Sequence, residues 1–108
     1  MSKIEANKAR SRLEIVADLL DVARTPVLKT HLMYRGNLSY FMVSYYTRYL
    51  NEIGLMSESI DPKSTAKYYQ TTPEGFKYLE IFDSFAQILN SSGSQNNRLE
   101  NPIIVREP

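Results

Sequence analysis

The feature that most constrains this fold is a change of hydrophobic period at Gly54. Before Gly54, apolar residues recur at the three- and four-residue spacings of amphipathic helices. After it, two short β-prone runs cover residues 55–60 and 66–71, separated by the polar, turn-forming residues 61–65. The sequence therefore predicts helical segments followed by a β-hairpin.

Three helices are expected before the hairpin. The first begins near Arg10, where leucines and valines form a broad apolar stripe. Thr25 as an N-cap and Pro26 at the first helical position predict a second helix that ends at about Arg35. Two short helices followed by a hairpin are typical of a helix-turn-helix with a wing.

The second and third helices are separated by a tight turn. Gly36 and Asn37 both tolerate left-handed backbone, and Leu38 is expected to anchor the turn in the core. Ser39 is a predicted N-cap for a third helix that continues to about Ile53. The short spacing between these helices supports the helix-turn-helix interpretation.

A fourth helix is expected after the hairpin. Thr72 is its predicted cap, Pro73 its first residue, and an acidic residue follows in the first turn. The predicted organisation is a flexible N-terminus (1–9), a winged helix-turn-helix DNA-binding domain (10–72), a C-terminal dimerisation helix (73–90) and a disordered tail (91–108). The fold class is mainly α with a small β-hairpin wing, in the order helix, helix, helix, strand, strand, helix.

Composition argues against several classes of protein. Cysteine is absent and histidine occurs once, so no metal site, no catalytic residues and no cofactor are predicted, and the chain is not expected to be an enzyme. No apolar run approaches a membrane span and no secretory signal is visible, which predicts a cytoplasmic protein. If it binds DNA, as expected below, it would be nucleoid-associated. The formal charge is +3 over residues 1–35, zero over 36–72 and −2 over 73–108, which favours one anion-facing side.

A resemblance to a known family lies in residues 29–40, Lys-Thr-His-Leu-Met-Tyr-Arg-Gly-Asn-Leu-Ser-Tyr. This segment resembles the turn between helices 2 and 3 of archaeal winged-helix DNA-binding proteins, which include small dimeric chromatin-associated proteins of crenarchaea. Further similarity is found at residues 12–15, Tyr46, Leu50, Gly54, Leu55, residues 69–72 and Gly75. The resemblance implies a DNA-binding winged helix whose last helix pairs antiparallel with that of a second subunit. Helix 3 is more aromatic, and helix 4 shorter, than in the chromatin-associated members.

The third helix supplies the predicted base-reading residues. A helical wheel places Val43, Tyr46, Thr47, Leu50 and Ile53 on the core side. The opposite side carries Phe41, Ser44, Tyr45, Arg48 and, one turn further on, Glu52. In the major groove, Arg48 would form two hydrogen bonds to guanine, and Phe41 would contact a thymine methyl group. The Ser44 hydroxyl could form a hydrogen bond with either kind of base pair. The hydroxyls of Tyr40 and Tyr45 would reach phosphates.

Phosphate contacts are predicted on both sides of that helix. The second helix and its turn supply Lys29, Thr30, His31, Arg35, Asn37 and Ser39. At the wing, Lys63 and Lys67 would approach the minor groove or the backbone, although Glu58 and Asp61 lie nearby and weaken that case. Binding of double-stranded DNA should therefore be strongly salt-sensitive.

The fourth helix carries two apolar seams, which predicts a homodimer. One seam follows Gly75, Leu79, Phe82, Ala86 and Leu89, and the other follows Tyr78, Ile81, Phe85 and Ile88. A helix that packs only on its own domain needs one stripe, so the second seam is the predicted dimer interface. The alternative is that helix 1 covers both seams within one monomer.

Two other functions remain open. The aromatic third helix would also suit a winged helix that binds another protein, and a chromatin-coating architectural role would use the same DNA-binding surface. Salt separates the first from DNA binding, because apolar association barely responds to it. A dimeric transcription regulator is the favoured function, with no small-molecule ligand and no membrane partner predicted.

Overall fold

The computed structural model of the chain describes residues 10–95. Its elements are α1 (Arg12–Val22), β1 (Val27–Leu28), α2 (Lys29–Gly36), α3 (Tyr40–Glu52), β2 (Met56–Ile60), β3 (Lys67–Thr71) and α4 (Pro73–Gln95). β3 lies between β1 and β2 and is antiparallel to both. The predicted fold class is confirmed, with one strand more than expected. The predicted N-terminal segment 1–9 and residues 96–108 of the predicted tail lie outside the described residues.

The segment expected to open the second helix forms β1 instead. Val27 pairs with Tyr69 and Leu28 with Tyr68, and α2 begins only at Lys29. The prediction that Thr25 and Pro26 start this helix was wrong. Pairing with the edge of β3 satisfies backbone groups that the first turn of a helix would leave open, and it buries the β-branched Val27.

The helix starts follow local capping chemistry. The Ser11 hydroxyl accepts a hydrogen bond from the Glu14 backbone N–H, and the Glu14 carboxylate accepts one from Ser11 N, so α1 begins two residues after the predicted Arg10. Ser39 Oγ accepts from Met42 N at 3.1 Å, which confirms Ser39 as the cap of α3. Each cap satisfies a backbone donor that the helix itself cannot.

The turns at the two ends of α3 use left-handed backbone. Asn37 has φ = 56° between α2 and α3, and Gly54 has φ = 83° where α3 has ended. Ile53 was expected in the core but is exposed, because it is the C-cap of α3 and lies where the chain leaves the helix. Both predicted helix breaks are therefore present.

α4 begins as predicted and ends later. Thr72 Oγ1 accepts a hydrogen bond from Gly75 N at 3.1 Å, and Pro73 is the first helical residue. The helix continues to Gln95, so residues 91–95 are helical rather than part of a disordered tail. A Cβ atom on Gly75 would overlap the Leu55 carbonyl oxygen, which shows how closely the start of α4 approaches the connection between α3 and β2.

One hydrophobic core joins the helices to the sheet. Its fully buried side chains are Leu19, Leu20, Leu32, Val43, Leu50 and Met56. Thr71 Oγ1 donates to the Leu20 carbonyl at 2.7 Å, and Thr71 N donates to the Ala23 carbonyl at 2.8 Å. These bonds hold the end of β3 against the end of α1. They therefore fix the position of the wing, the β2–β3 hairpin, relative to the helices.

Candidate nucleic-acid interface

α3 buries one face and exposes the other. Val43, Tyr46, Thr47 and Leu50 are buried, as the helical wheel predicts. On the outer face, the Phe41 side chain is 77% exposed and Arg48 is also exposed. Within the described part of the chain, the Arg48 guanidinium takes part in no hydrogen bond or ion pair. An unengaged guanidinium and an apolar ring therefore lie on one accessible helix face.

Lys29 connects three elements at the edge of this face. Its Nζ atom donates to Ser44 Oγ at 3.3 Å, and it lies 5.2 Å from the centre of the Tyr40 ring and 6.0 Å from that of Tyr69. Such cation–aromatic contacts are favourable when the ammonium is partly desolvated, as the half-buried Lys29 is. Lys29 thus holds α3 against α2 and β3 and also places a positive charge beside Tyr40.

Tyr45 lies in an aromatic row along α3. Its ring meets Tyr46 edge-on at 5.2 Å and stacks on Tyr49 at 6.3 Å. The guanidinium of Arg12, at the start of α1, lies 6.0 Å from the ring centres of both Tyr45 and Tyr49. Arg12 is a cation beside α3 that is absent from the predicted set. Its contact crosses 33 residues of sequence, so no local pattern reveals it.

The outer side of α2 adds polar and basic groups. Thr30, His31 and Arg35 are exposed, and Arg35 Nη1 lies 3.4 Å from His31 Nε2. Asn37 and Ser39 are exposed in the turn that follows. These residues lie on the helix and turn that lead directly into α3, and their chemistry suits the positioning contacts that proteins make with phosphate oxygens.

The wing offers less positive charge than its two lysines suggest. Lys67 Nζ lies 3.5 Å from Glu58 Oε2, so its charge is partly neutralised. At the tip, the backbone N–H of Lys63 and the Ser64 hydroxyl both donate to the Asp61 carboxylate, and these bonds lower the pKa of Asp61. The tip therefore carries one carboxylate beside the exposed Lys63 ammonium.

The helix-turn-helix carries a single acidic residue, Glu52 at the end of α3. No Asp or Glu occurs from residue 22 to residue 51, a stretch that includes β1, α2 and most of α3. The basic residues in it are Arg24, Lys29, Arg35 and Arg48, with His31 as a further candidate. This local excess of positive charge coexists with a net charge of only +1 for the whole chain.

In residues 10–95, no three histidine, cysteine, aspartate or glutamate side chains come together as metal ligands would. None of the helices in that range is both long and apolar enough to span a membrane.

Comparison with known proteins agrees with the fold. Residues 9–90 match the family model described as winged helix-turn-helix. The chain belongs to the winged helix-turn-helix family. No curated protein matches it. The resemblance noted from residues 29–40 is thereby confirmed at the level of the family.

Solved structures share the architecture of this winged helix-turn-helix protein. Sso10a-2, a DNA-binding protein from Sulfolobus solfataricus, aligns with a TM-score of 0.71 at 21% identity, over 87% of this chain and all of that one. A mutant of MepR from S. aureus gives 0.69 at 18% identity, over 93% of this chain and 73% of that one. A PadR family transcriptional regulator from Eggerthella lenta gives 0.68 at 20% identity, over 87% of each chain. At these identities the likeness shows a shared fold.

The helix-turn-helix is held by a residue that local sequence patterns do not reveal. Arg10 Nη2 donates to the carbonyl of Gly36 at 2.9 Å and to that of Asn37 at 3.4 Å, and its Nη1 lies 2.7 Å from Asp18 Oδ2. The two carbonyls lie at the C-terminal end of α2, where backbone acceptors lack helical partners and a cation is favoured. Arg10 therefore positions the turn that leads into α3.

The second seam of α4 divides between the domain and the solvent. Ile81, Phe85 and Ile88 are between 54% and 70% exposed. Tyr78 is half-buried in its own chain: its hydroxyl donates to the Leu13 carbonyl at 2.7 Å, and its ring stacks on Phe82 at 6.3 Å. Burial raises the pKa of Tyr78. Leu89 of the first seam is also 53% exposed, so that seam is only partly covered by its own domain. The exposed seam, defined as Ile81, Phe85 and Ile88, is available to a partner.

Proposed function

We propose that this protein binds double-stranded DNA as a homodimer and acts as a nucleoid-associated transcription regulator, with α3 of each subunit in the major groove. The observation that carries the proposal is the exposed face of α3, where Arg48 is unengaged, within an acid-free stretch from residue 22 to 51. A helix of this kind fits the major groove, and a guanidinium can bind guanine through two hydrogen bonds. The DNA-binding protein and the transcriptional regulators among the similar structures support the same function.

The roles of the remaining side chains follow from their placement. Arg35, Thr30 and the turn residues would contact phosphates beside the groove, and Lys63 would approach the backbone from the wing. Lys29 would act mainly by positioning α3, because its ammonium is already shared between Ser44 and two aromatic rings. The two cations assigned to phosphates, Arg35 and Lys63, would give a slope of log affinity on log salt of about −2 per subunit.

The test is fluorescence anisotropy with a labelled random duplex across a salt series. Wild-type protein is compared with Arg48→Ala and with Lys77→Ala, a matched control that removes one exposed charge from α4. We expect steep salt dependence for the wild type on the random duplex. On the duplex that the wild type most enriches from a random pool, we expect an affinity about tenfold lower for Arg48→Ala and little change for Lys77→Ala. Both variants remove one positive charge, so a difference between their affinities reflects where the charge lies on the protein and not the net charge.

Three outcomes would contradict this assignment. Absence of binding at low salt would refute sequence-independent affinity for DNA. Equal effects of the two variants would place DNA elsewhere on the molecule. Association with a duplex that did not respond to salt would contradict a phosphate-dominated contact, and the aromatic face of α3 would then be better explained as a protein-binding surface.

The homodimer is proposed from the exposed seam of α4. Burying Ile81, Phe85 and Ile88 against a second copy would contribute on the order of 1 kcal/mol or more per side chain. A two-fold axis would then place two α3 helices on one face of DNA, roughly 34 Å or a multiple of that distance apart.

Sedimentation equilibrium tests the dimer. The wild type should sediment at twice its 12.5 kDa chain mass, and Phe85→Glu should sediment as a monomer. Gln87→Glu is the matched control, because it adds the same charge at an exposed α4 position two residues away. A wild-type monomer at micromolar concentration, or equal effects of the two glutamates, would rule out this interface.

A further inference from the structure

The polar side chains around Phe41 are already engaged with the protein. Ser39 Oγ accepts from Met42 N, and Ser44 Oγ accepts from Lys29 Nζ at 3.3 Å. The Tyr40 ring faces the same ammonium. Phe41 is the second residue of α3 and keeps 77% of its surface exposed. The leading end of α3 therefore projects an apolar ring.

The position of this ring determines what it would meet. In helix-turn-helix complexes, the N-terminal residues of the second helix contact base edges in the major groove. The edges of base pairs there present hydrogen-bonding groups and one apolar group, the C5-methyl of thymine. A phenyl ring offers no hydrogen bond, so the gain on docking Phe41 comes from burial against that methyl group.

We propose that Phe41 recognises the C5-methyl group of a pyrimidine in the major groove. The inference rests on the proposed DNA-binding function and extends it: a methyl-bearing pyrimidine at this position raises affinity, whether thymine or 5-methylcytosine carries it. Arg48 lies about two turns further along the same helix face and supplies the hydrogen-bonding part of the readout.

The experiment uses the 20-base-pair duplex most enriched by the wild-type protein from a random pool. It is prepared once with thymine and once with uracil throughout, and the two dissociation constants are measured by anisotropy at one salt concentration. We expect the thymine duplex to bind about fourfold more tightly per half-site, the effect of one buried methyl group. Phe41→Ala should bind both duplexes equally.

The matched control is Tyr34→Ala. Tyr34 is an aromatic residue of α2 that is 78% exposed, nearly the same as Phe41. Its removal should leave the thymine-to-uracil ratio at about fourfold. The comparison of ratios forms a double-mutant cycle, so changes in duplex flexibility caused by uracil cancel.

A second experiment separates the effect of the methyl group on affinity from the effect of the A·T base pair. Single uracil substitutions locate the sensitive position, which is then changed to C·G with cytosine or 5-methylcytosine. Wild-type protein should prefer 5-methylcytosine by about fourfold, and Phe41→Ala should show no preference.

The possible failures are distinct. Equal affinity for thymine and uracil duplexes, with steep salt dependence retained, would overturn the proposal and leave DNA binding standing. A Phe41→Ala variant that weakens both duplexes by the same factor would also overturn it. A wild-type protein that enriches no duplex and binds none at low salt would refute both this proposal and the proposed function.

Discussion

Arg10→Ala removes the side chain that links α1 to the turn before α3. Arg10 makes one charge-assisted hydrogen bond at 2.9 Å to the Gly36 carbonyl, a longer one at 3.4 Å to Asn37, and an ion pair at 2.7 Å with Asp18. A hydrogen bond to a charged group contributes about 1.5–3 kcal/mol, whereas an ion pair with an exposed carboxylate contributes about 0–1 kcal/mol. The expected loss of stability is about 2 kcal/mol.

Urea and thermal unfolding at a fixed protein concentration measure this loss. For a domain of this size, a loss of about 2 kcal/mol corresponds to a fall in Tm of roughly 10 °C. Arg10→Lys should be intermediate, because an ammonium keeps the charge but not the planar fork that reaches the carboxylate and the carbonyl together. DNA affinity should fall in the same order, from wild type to Arg10→Lys to Arg10→Ala, because the turn positions α3.

The control is Arg24→Ala. Arg24 also lies 2.7 Å from an aspartate, Asp21, but its side chain is 49% exposed against 17% for Arg10. Within residues 10–95 the Arg24 side chain makes no hydrogen bond to a helix-terminal carbonyl. Its loss should cost less than about 1 kcal/mol. If Arg10→Ala were no more destabilising than Arg24→Ala, the idea that Arg10 holds the turn would be refuted.

Two substitutions in α4, with Gly54→Ala as a comparison outside it, test the packing of α4. Gly75→Ala should destabilise the fold by at least about 3 kcal/mol in urea unfolding, because the new Cβ would overlap the Leu55 carbonyl and lie 2.5 Å from Thr71 Cγ2. Gly54→Ala has open space and only backbone strain, so it should cost about 1 kcal/mol, and the reverse order would contradict this packing. Tyr78→Phe should cost about 1 kcal/mol at pH 7 through its lost bond to Leu13. Because the pKa of Tyr78 is raised in the folded state, its hydroxyl stabilises the fold below pH about 10 and the difference from Tyr78→Phe should shrink above that pH; a difference independent of alkaline pH would contradict it.

Much of the candidate interface could be predicted from sequence because it lies on one helix. The wheel of α3 separates buried Val43 and Leu50 from exposed Phe41 and Arg48 using residues one or two turns apart. The roles of Lys29 and Arg12 could not be predicted in this way. Each depends on aromatic rings brought together from other elements, so a basic residue that looks like a free phosphate contact turns out to share its charge within the fold.

The sequence by itself determined the local features of this protein. The caps at Ser39 and Thr72 and the break at Gly54 depend on side chains and backbone within a few residues. They can therefore be predicted from the sequence alone. Tertiary structure decided what needs distant partners. Val27 lies in a strand because it pairs with the edge of β3 in the folded protein. Arg10 stabilises the turn because folding brings its side chain to the C-terminal end of α2. Neither outcome is encoded in a neighbouring residue, since both arise from satisfying backbone groups across the fold.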